Sequence, residues 1–94
     1  AARNAAAQQD DPFRETRLQL ERIAMGAALH RVSAVCAVRA GRPAEEIVHY
    51  AFEHGVGMIA MGSRGRTRLA MAILGSVAEQ VIRNAACPVL VVPP

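Results

Sequence analysis

Hydrophobic residues in this chain recur at helical spacing in some segments and at strand spacing in others. From Phe13 to Leu29 most residues are good helix formers, and four apolar residues three and four positions apart form one face: Leu20, Ile23, Ala24 and Ala27. Asp10, Asp11 and Pro12 come just before this segment, and acidic residues followed by proline suit a helix start. The pattern therefore predicts a first helix over the whole segment.

A second helical segment follows Gly41. Pro43 occupies a first-turn position, and Glu45 and Glu46 come where carboxylates complement the positive end of a helix. Five apolar residues form the predicted inward-facing stripe: Ala44, Ile47, Val48, Ala51 and Phe52. Gly55 is expected to cap the carboxyl end of this helix.

Three segments have the composition of strands. Residues 32–39 show period-two alternation with β-branched residues. Residues 58–61 and 89–92 are short apolar runs, which are typical of strands buried on both faces of a parallel sheet. A third helix is predicted from about Val77 to Asn84. The order α-β-α-β-α-β predicts an α/β fold with a parallel sheet, flanking helices and right-handed crossovers.

The length of 94 residues suits one small domain. Residues 1–12 are expected to form a flexible lead-in, since they are nearly all small or polar, and residues 13–94 the domain. No apolar run approaches the roughly 18 residues of a membrane span, and no secretory signal opens the chain, so we expect a soluble cytoplasmic protein. Cys36 and Cys87 have no metal-ligand spacing and are expected to be buried free thiols.

The net charge of +3 is concentrated in one part of the chain. Residues 1–57 have equal numbers of basic and acidic residues, whereas residues 58–94 contain four arginines and one acid. Three of those arginines, Arg64, Arg66 and Arg68, lie within five residues. Genome composition can explain why every basic residue is Arg, but it does not explain this cluster.

A glycine-rich segment next to the cluster has the chemistry of a phosphate site. Gly62, Ser63, Arg64 and Gly65 follow a predicted strand, and open α/β sheets bind ligands at the carboxyl ends of their strands. Gly62 and Gly65 allow a tight turn with positive φ and close approach of a ligand, and the backbone N–H groups of such a turn can hold an anion.

A second anion-binding element is predicted at Ser76. The spacing of Ser76 and Glu79 matches a capping box, which would begin a helix at Ser76 and leave other first-turn N–H groups for a phosphate. Each feature alone has an ordinary structural explanation: a turn, a cap or a solvated basic loop. Their combination favours a phosphate site, provided that the intervening loop folds back.

The segment from Met61 to Val92 resembles the carboxyl-terminal signature of the universal stress protein (UspA-like) family. That signature is G-x2-G-x9-G-[S/T] after a strand, followed by a helix and a Pro-Val-Leu-Val-Val strand, and here it reads MGSRGRTRLAMAILGSVAEQVIRNAACPVLVV. The preceding GRPAEEIVHYAFEHGVGMIAMGS resembles the helix and strand that come before it in the family. The resemblance covers residues 32–92, about two thirds of the chain.

The resemblance implies a Rossmann-like (adenine-nucleotide alpha hydrolase-like) α/β domain that binds ATP or another adenine nucleotide, with Mg²⁺ accompanying the phosphates. The residues that match the family's nucleotide-binding positions are Met61, Gly62, Arg64, Gly65, Gly75, Ser76 and Val77. Ala78 stands where the family often has Ser or Thr, which removes one hydrogen bond, worth about 1 kcal/mol. The strand Val89–Val92 resembles the strand that pairs between subunits in family dimers, so a homodimer is implied.

The chain departs from the family pattern at its start. Family members have a strand, a helix and a second strand before the helix that corresponds to residues 13–29, and these contribute to the adenosine pocket. Three explanations are open: the chain is incomplete, which we favour, a partner supplies the sheet edge, or residues 32–39 move beside residues 58–61.

The sequence leaves more than one function open. The first hypothesis is an adenine-nucleotide-binding module of the stress response, and the alternative is an assembly module that holds no nucleotide. Nucleic-acid binding is less favoured, because the only basic loop has no aromatic stacking residues. No catalytic or metal-binding residue is predicted, since the chain has no nucleophile–base arrangement and no Walker lysine. His30, His49 and His54 are expected at helix surfaces or ends, and at most weak ATP hydrolysis is expected.

Overall fold

The computed structural model describes residues 11–64 and 74–94. These residues form three helices and two strands: α1 (Arg14–Leu29), α2 (Pro43–Glu53), β1 (Ile59–Gly62), α3 (Ser76–Asn84) and β2 (Val89–Val92). The chain divides into two compact units, residues 1–39 and residues 40–94. No helix in the described residues is both long enough and apolar enough to cross a membrane.

Helix α1 belongs to the first unit and confirms the predicted first helix. Its start is organised by Asp11, whose Oδ1 accepts a hydrogen bond from the backbone N–H of Phe13 at 2.9 Å and whose Oδ2 lies 2.8 Å from Arg17. The Phe13 N–H, and then the Arg17 guanidinium, lower the pKa of Asp11 below its ordinary value. The acidic residue before the helix therefore acts as predicted, by stabilising the first turn.

The carboxyl end of α1 closes with a non-glycine residue in the left-handed region. Arg31 has φ of 61°, and the N–H groups of Arg31 and Val32 donate to the carbonyls of Ala28 and Ala27, both at 3.0 Å. This is the Schellman arrangement, in which glycine is the usual residue at the position of Arg31. Leu20, Ala24 and Ala27 on the predicted face are half-buried, whereas Ile23 is exposed.

The prediction of a strand at residues 32–39 was wrong. These residues are not part of the sheet, which in the described residues consists of β1 and β2. The thiol of Cys36 is exposed rather than buried, and its Sγ lies 3.2 Å from the carbonyl oxygen of Leu20. Period-two alternation specifies which face each side chain takes, but a strand also needs a hydrogen-bonded neighbour.

The hydrophobic core of the second unit lies between α2, α3 and one face of the sheet. Its buried residues are Ala44, Ala51, Ile59 and Val81, and Val81 is fully buried. Ile47, Val48 and Val77 are partly buried against them. The stripe predicted on α2 is therefore confirmed except for Phe52, which is 76% exposed. Phe52 lies at the margin of the stripe, about 100° around the helix from Ala51.

Strands β1 and β2 form a parallel pair, with Ile59 opposite Val89 and Gly62 opposite Val92. The parallel sheet is confirmed, but burial on both faces is not. Along β2, Leu90 and Val92 are each 50% exposed, whereas Val89 and Val91 are half-buried. The helices described in the second unit pack on the face that carries Ile59 and Val89, and the apolar residues Leu90 and Val92 at alternate positions stay exposed.

Helix α2 ends at a glycine cap, as predicted. Gly55 has φ of 59°, and the N–H of Val56 donates to the Ala51 carbonyl at 2.9 Å. This bond turns the chain so that Val56 packs against the core. An added Cβ at Gly55 would meet nothing within 4 Å, so only the backbone conformation requires glycine.

We predict that Gly55→Ala lowers the free energy of unfolding by about 1 kcal/mol, because an L side chain is strained at this positive φ. Gly57→Ala is the matched control, since Gly57 has open space around it and no positive φ. Urea unfolding followed by circular dichroism measures both variants. Equal stabilities of the two variants would contradict the left-handed cap.

Candidate phosphate-binding site

A cleft of about 630 Å³ lies at the carboxyl ends of β1 and β2. It is lined by residues that end or follow the two strands: Ala60, Met61, Gly62, Ser63, Arg64, Val92, Pro93 and Pro94. This volume is in the range of small-molecule sites. The glycine motif therefore begins at the carboxyl end of a parallel strand, as predicted, which is the edge where open α/β sheets commonly bind ligands.

Gly62 is the last residue of β1 and does not have the positive φ that the sequence suggested. A Cβ built on Gly62 would lie 3.7 Å from the carbonyl oxygen of Arg64, which is ordinary van der Waals contact. The expected left-handed turn at Gly62 is therefore wrong, because pairing opposite Val92 keeps the residue in the strand. The fold therefore has room for a Cβ at Gly62. The lack of a side chain at this position then affects the space in the cleft rather than the stability of the fold.

Ser63 joins three parts of the second unit through its backbone. Its N–H donates to the Val92 carbonyl at 2.9 Å, which continues the β1–β2 pairing by one residue. Its carbonyl accepts the N–H of Gly75 at 2.6 Å. The second bond brings the start of α3 back to the end of β1. The predicted convergence of the two halves of the motif is therefore confirmed.

The amino end of α3 differs from the predicted capping box. Gly75 is the N-cap, with φ of −64° and ψ of 153°, and no side chain caps the helix. Ser76 is the first helical residue, one position too late for its hydroxyl to cap. The Glu79 carboxylate instead pairs with Arg83 at 2.7 Å, one turn further along.

The missing side-chain cap has a consequence for anion binding. In an α-helix the first N–H groups have no intrahelical acceptor, and the helix dipole makes this end positive. In α3 these are the N–H groups of Ser76, Val77 and Ala78. Because no side chain of the described residues caps them, these N–H groups are better placed to bind a phosphate than those of a helix closed by a capping box.

The structure places the sequence-predicted site residues in two groups, one that lines the cleft and one at the start of α3 that is not among the lining residues. Met61, Gly62 and Arg64 line the cleft, and Arg64 is half-buried. Gly75 is hydrogen-bonded to Ser63, and Ser76 and Val77 follow in the first turn of α3. The predicted contributions of Gly65, Arg66 and Arg68 lie outside the described residues.

Four lining residues were not predicted from the sequence: Ala60, Val92, Pro93 and Pro94. The parallel register explains Val92, Pro93 and Pro94. Because Val92 lies opposite Gly62, the residues that follow β2 lie beside those that follow β1. The apolar run before two prolines could have signalled this wall of the cleft. Proline has no backbone N–H, so the polar donors of the cleft lie on the Ser63–Arg64 side.

The Ala78 side chain faces the interior rather than the cleft. Ala78 is 2% exposed and is not among the residues that line the cleft. Its position in the first turn still leaves the backbone N–H at the helix end. The departure from the Ser or Thr of the family pattern therefore removes a side-chain hydroxyl without removing a backbone donor.

Comparison with known proteins identifies the class to which this α/β domain with its glycine motif belongs. The model of the universal stress protein family matches residues 1–93. The chain belongs to the universal stress protein family. The match extends beyond the carboxyl-terminal two thirds on which the sequence resemblance rested.

Individual relatives agree with this assignment. Universal stress protein MJ0531 of Methanocaldococcus jannaschii is 56% identical over 52 residues, which are 55% of this chain and 31% of that protein. Universal stress protein YxiE of Bacillus subtilis is 48% identical over 52 residues, 55% of this chain and 35% of that protein. The chain therefore aligns with about one third of the length of these relatives.

A solved structure shows the same fold. The structure of the hypothetical protein MJ0577 superposes with a TM-score of 0.84 and 35% identity, over 95% of this chain and 62% of that one. MJ0577 is itself a universal stress protein of Methanocaldococcus jannaschii. The predicted α/β fold of this family is thereby confirmed, and the chain spans less than two thirds of the solved relative.

We predict that Gly62→Ala changes the free energy of unfolding by less than about 0.5 kcal/mol, because its backbone and surroundings accept a Cβ. Gly41→Ala serves as the contrasting variant: Gly41 has φ of 142°, and a Cβ there would lie 2.9 Å from Glu46 Oε2. In thermal unfolding, Gly41→Ala should lower the free energy of unfolding by about 1 kcal/mol, whereas Gly62→Ala should not. A comparable loss for Gly62→Ala would show that Gly62 has a structural role.

Proposed function

We propose that this chain is a nucleotide-binding module of the stress response that holds ATP or another adenine nucleotide in the cleft beyond β1 and β2. The observation that carries the proposal is the hydrogen bond from Gly75 to Ser63, which places the uncapped end of α3 beside the Gly62–Arg64 segment. Membership of the universal stress protein family supports the same interpretation.

The charge distribution suits the phosphate end of such a ligand. Arg64 contributes a guanidinium to the cleft, and no acidic residue is among those described as lining it. The nearby Glu79 is paired with Arg83, which reduces its repulsion of an anion. Phosphates would lie between Arg64 and the first turn of α3, where charge-assisted hydrogen bonds are strongest.

The same residues favour binding over catalysis. Ser63 and Arg64 are the polar residues described as lining the cleft, whereas histidine and carboxylate side chains are the usual groups that activate water. Mg²⁺ would accompany the phosphates and be held mainly by phosphate and water oxygens, as is usual for this ion.

We predict that titration calorimetry shows saturable binding of ATP in the presence of Mg²⁺, and that Arg64→Gln weakens it about ten-fold by removing a charged donor. Arg42→Gln is the matched control, because it changes the net charge equally and Arg42 pairs with Glu45 at 3.6 Å on α2. Equal losses in both variants would indicate a non-specific charge effect. A folded wild-type chain that gives no heat with ATP would refute the proposal.

A second proposed role is assembly of two chains through β2, and the place of this strand at the margin of the sheet formed by the described residues favours it. The carbonyls of Pro88 and Val92 accept hydrogen bonds from the N–H groups of Ile59 in β1 and of Ser63 just after it. Since backbone groups alternate along a strand, those of Val89 and Val91 point to the opposite edge. An edge of this kind can pair with the same strand of a second copy.

We predict that Val91→Pro abolishes a homodimer, because it removes an N–H from the outer edge without removing a bond to β1. Val91→Thr, which keeps both the N–H and the branched Cβ, is the control. Sedimentation velocity over a concentration series gives the oligomeric state, and circular dichroism checks the fold. A wild-type chain that sediments as a monomer at every concentration would exclude assembly through this edge.

A further inference from the structure

Two backbone donors at the candidate phosphate site are already engaged within the chain. The N–H of Ser63 donates to Val92, and the N–H of Gly75 donates to Ser63 at 2.6 Å. Neither donor is therefore directed at a ligand in this arrangement. Ser76 and Val77, by contrast, occupy the first turn of α3, where N–H groups have no intrahelical acceptor.

We propose that the hydrogen bond from the Gly75 N–H to the Ser63 carbonyl is a latch that forms before the ligand binds and sets the distance between β1 and α3. Gly75 is then a positioning residue, and the ligand takes its backbone bonds from the residues that follow. This inference rests on the proposed nucleotide function, because it concerns the same site.

The energetic reason is the cost of bringing two distant parts of the chain together. Eleven residues separate Ser63 from Gly75 in the sequence, and closing such a segment reduces chain entropy. When the latch forms during folding, the entropy cost of closing the segment is part of the folding free energy. Without the latch, the entropy cost of closing the segment would be part of the binding free energy. The ATP affinity would then fall in proportion to the fraction of chains in which β1 and α3 are already close.

The backbone of Gly75 allows a test that removes the donor and little else. Its φ of −64° and ψ of 153° suit proline, which has no N–H. Gly75→Ala adds a Cβ, as Gly75→Pro does, but retains the backbone N–H. The comparison of Gly75→Pro with Gly75→Ala therefore isolates the hydrogen bond from the effect of the side chain.

The first experiment is amide hydrogen exchange on the wild-type chain, without and with ATP. The latch predicts that the Gly75 amide is protected without ligand while those of Ser76 and Val77 exchange rapidly, and that ATP slows the latter two. A Gly75 amide that exchanges as rapidly as that of Ser76, and becomes protected only with ATP, would overturn the latch.

The second experiment compares ATP affinities by calorimetry. Gly75→Pro should bind between about two- and ten-fold more weakly than Gly75→Ala, which corresponds to the loss of one hydrogen bond. Gly55→Ala controls for stability, because it strains a cap outside the cleft and should leave the ATP affinity unchanged. Equal affinities for the proline and alanine variants would overturn the positioning role.

The two experiments separate the latch from the proposed function. ATP can leave the exchange rates of the Ser76 and Val77 amides unchanged while the Gly75 amide is protected. In that case the nucleotide proposal fails, and the positioning role of Gly75 fails with it. The hydrogen bond between Gly75 and Ser63 is still established by the protection. Should Gly75→Pro not fold, hydrogen exchange on the wild-type chain still decides whether the latch exists before ligand binding.

Discussion

Parallel pairing of β1 with β2 is the interaction on which the rest of the second unit depends. It brings together two four-residue segments that are separated by more than twenty residues in the sequence. Side chains at alternate positions, Ile59 and Val89 among them, then face α2 and α3 and form the core with Val81. Because the strands run in the same direction, both also end at the same edge, and that edge forms the cleft.

The site combines a rigid edge with a helix end that no side chain caps. Ser63 links the two, since its N–H extends the strand pairing and its carbonyl receives the N–H of Gly75. An anion near α3 would therefore meet donors whose positions are set by the sheet rather than by a loop alone. Preorganised donors of this kind lose little entropy on binding, which supports the proposed nucleotide function.

Local patterns were sufficient to predict the three helices and the position of Gly62 at the end of a strand. Asp11 and Gly55 acted as start and stop signals because their hydrogen bonds involve residues within a few positions. The capping box failed for an equally local reason: the helix uses Gly75 as its N-cap, and a one-residue shift moves the Ser76 hydroxyl out of capping position. Spacing alone could not distinguish these two registers.

The sequence by itself determined the helical segments, the glycine motif and the family, because these depend on neighbouring residues and on a specific spacing. The tertiary structure decided which alternating segments became strands and which apolar side chains were buried. Residues 32–39 have the alternation of a strand but pair with no strand in the part of the chain that the structure describes, and Leu90 is apolar but 50% exposed. The tertiary structure also decided that the Gly75 N–H donates to the Ser63 carbonyl. A hydrogen bond between residues that are distant in sequence forms only when the fold brings the two residues close together.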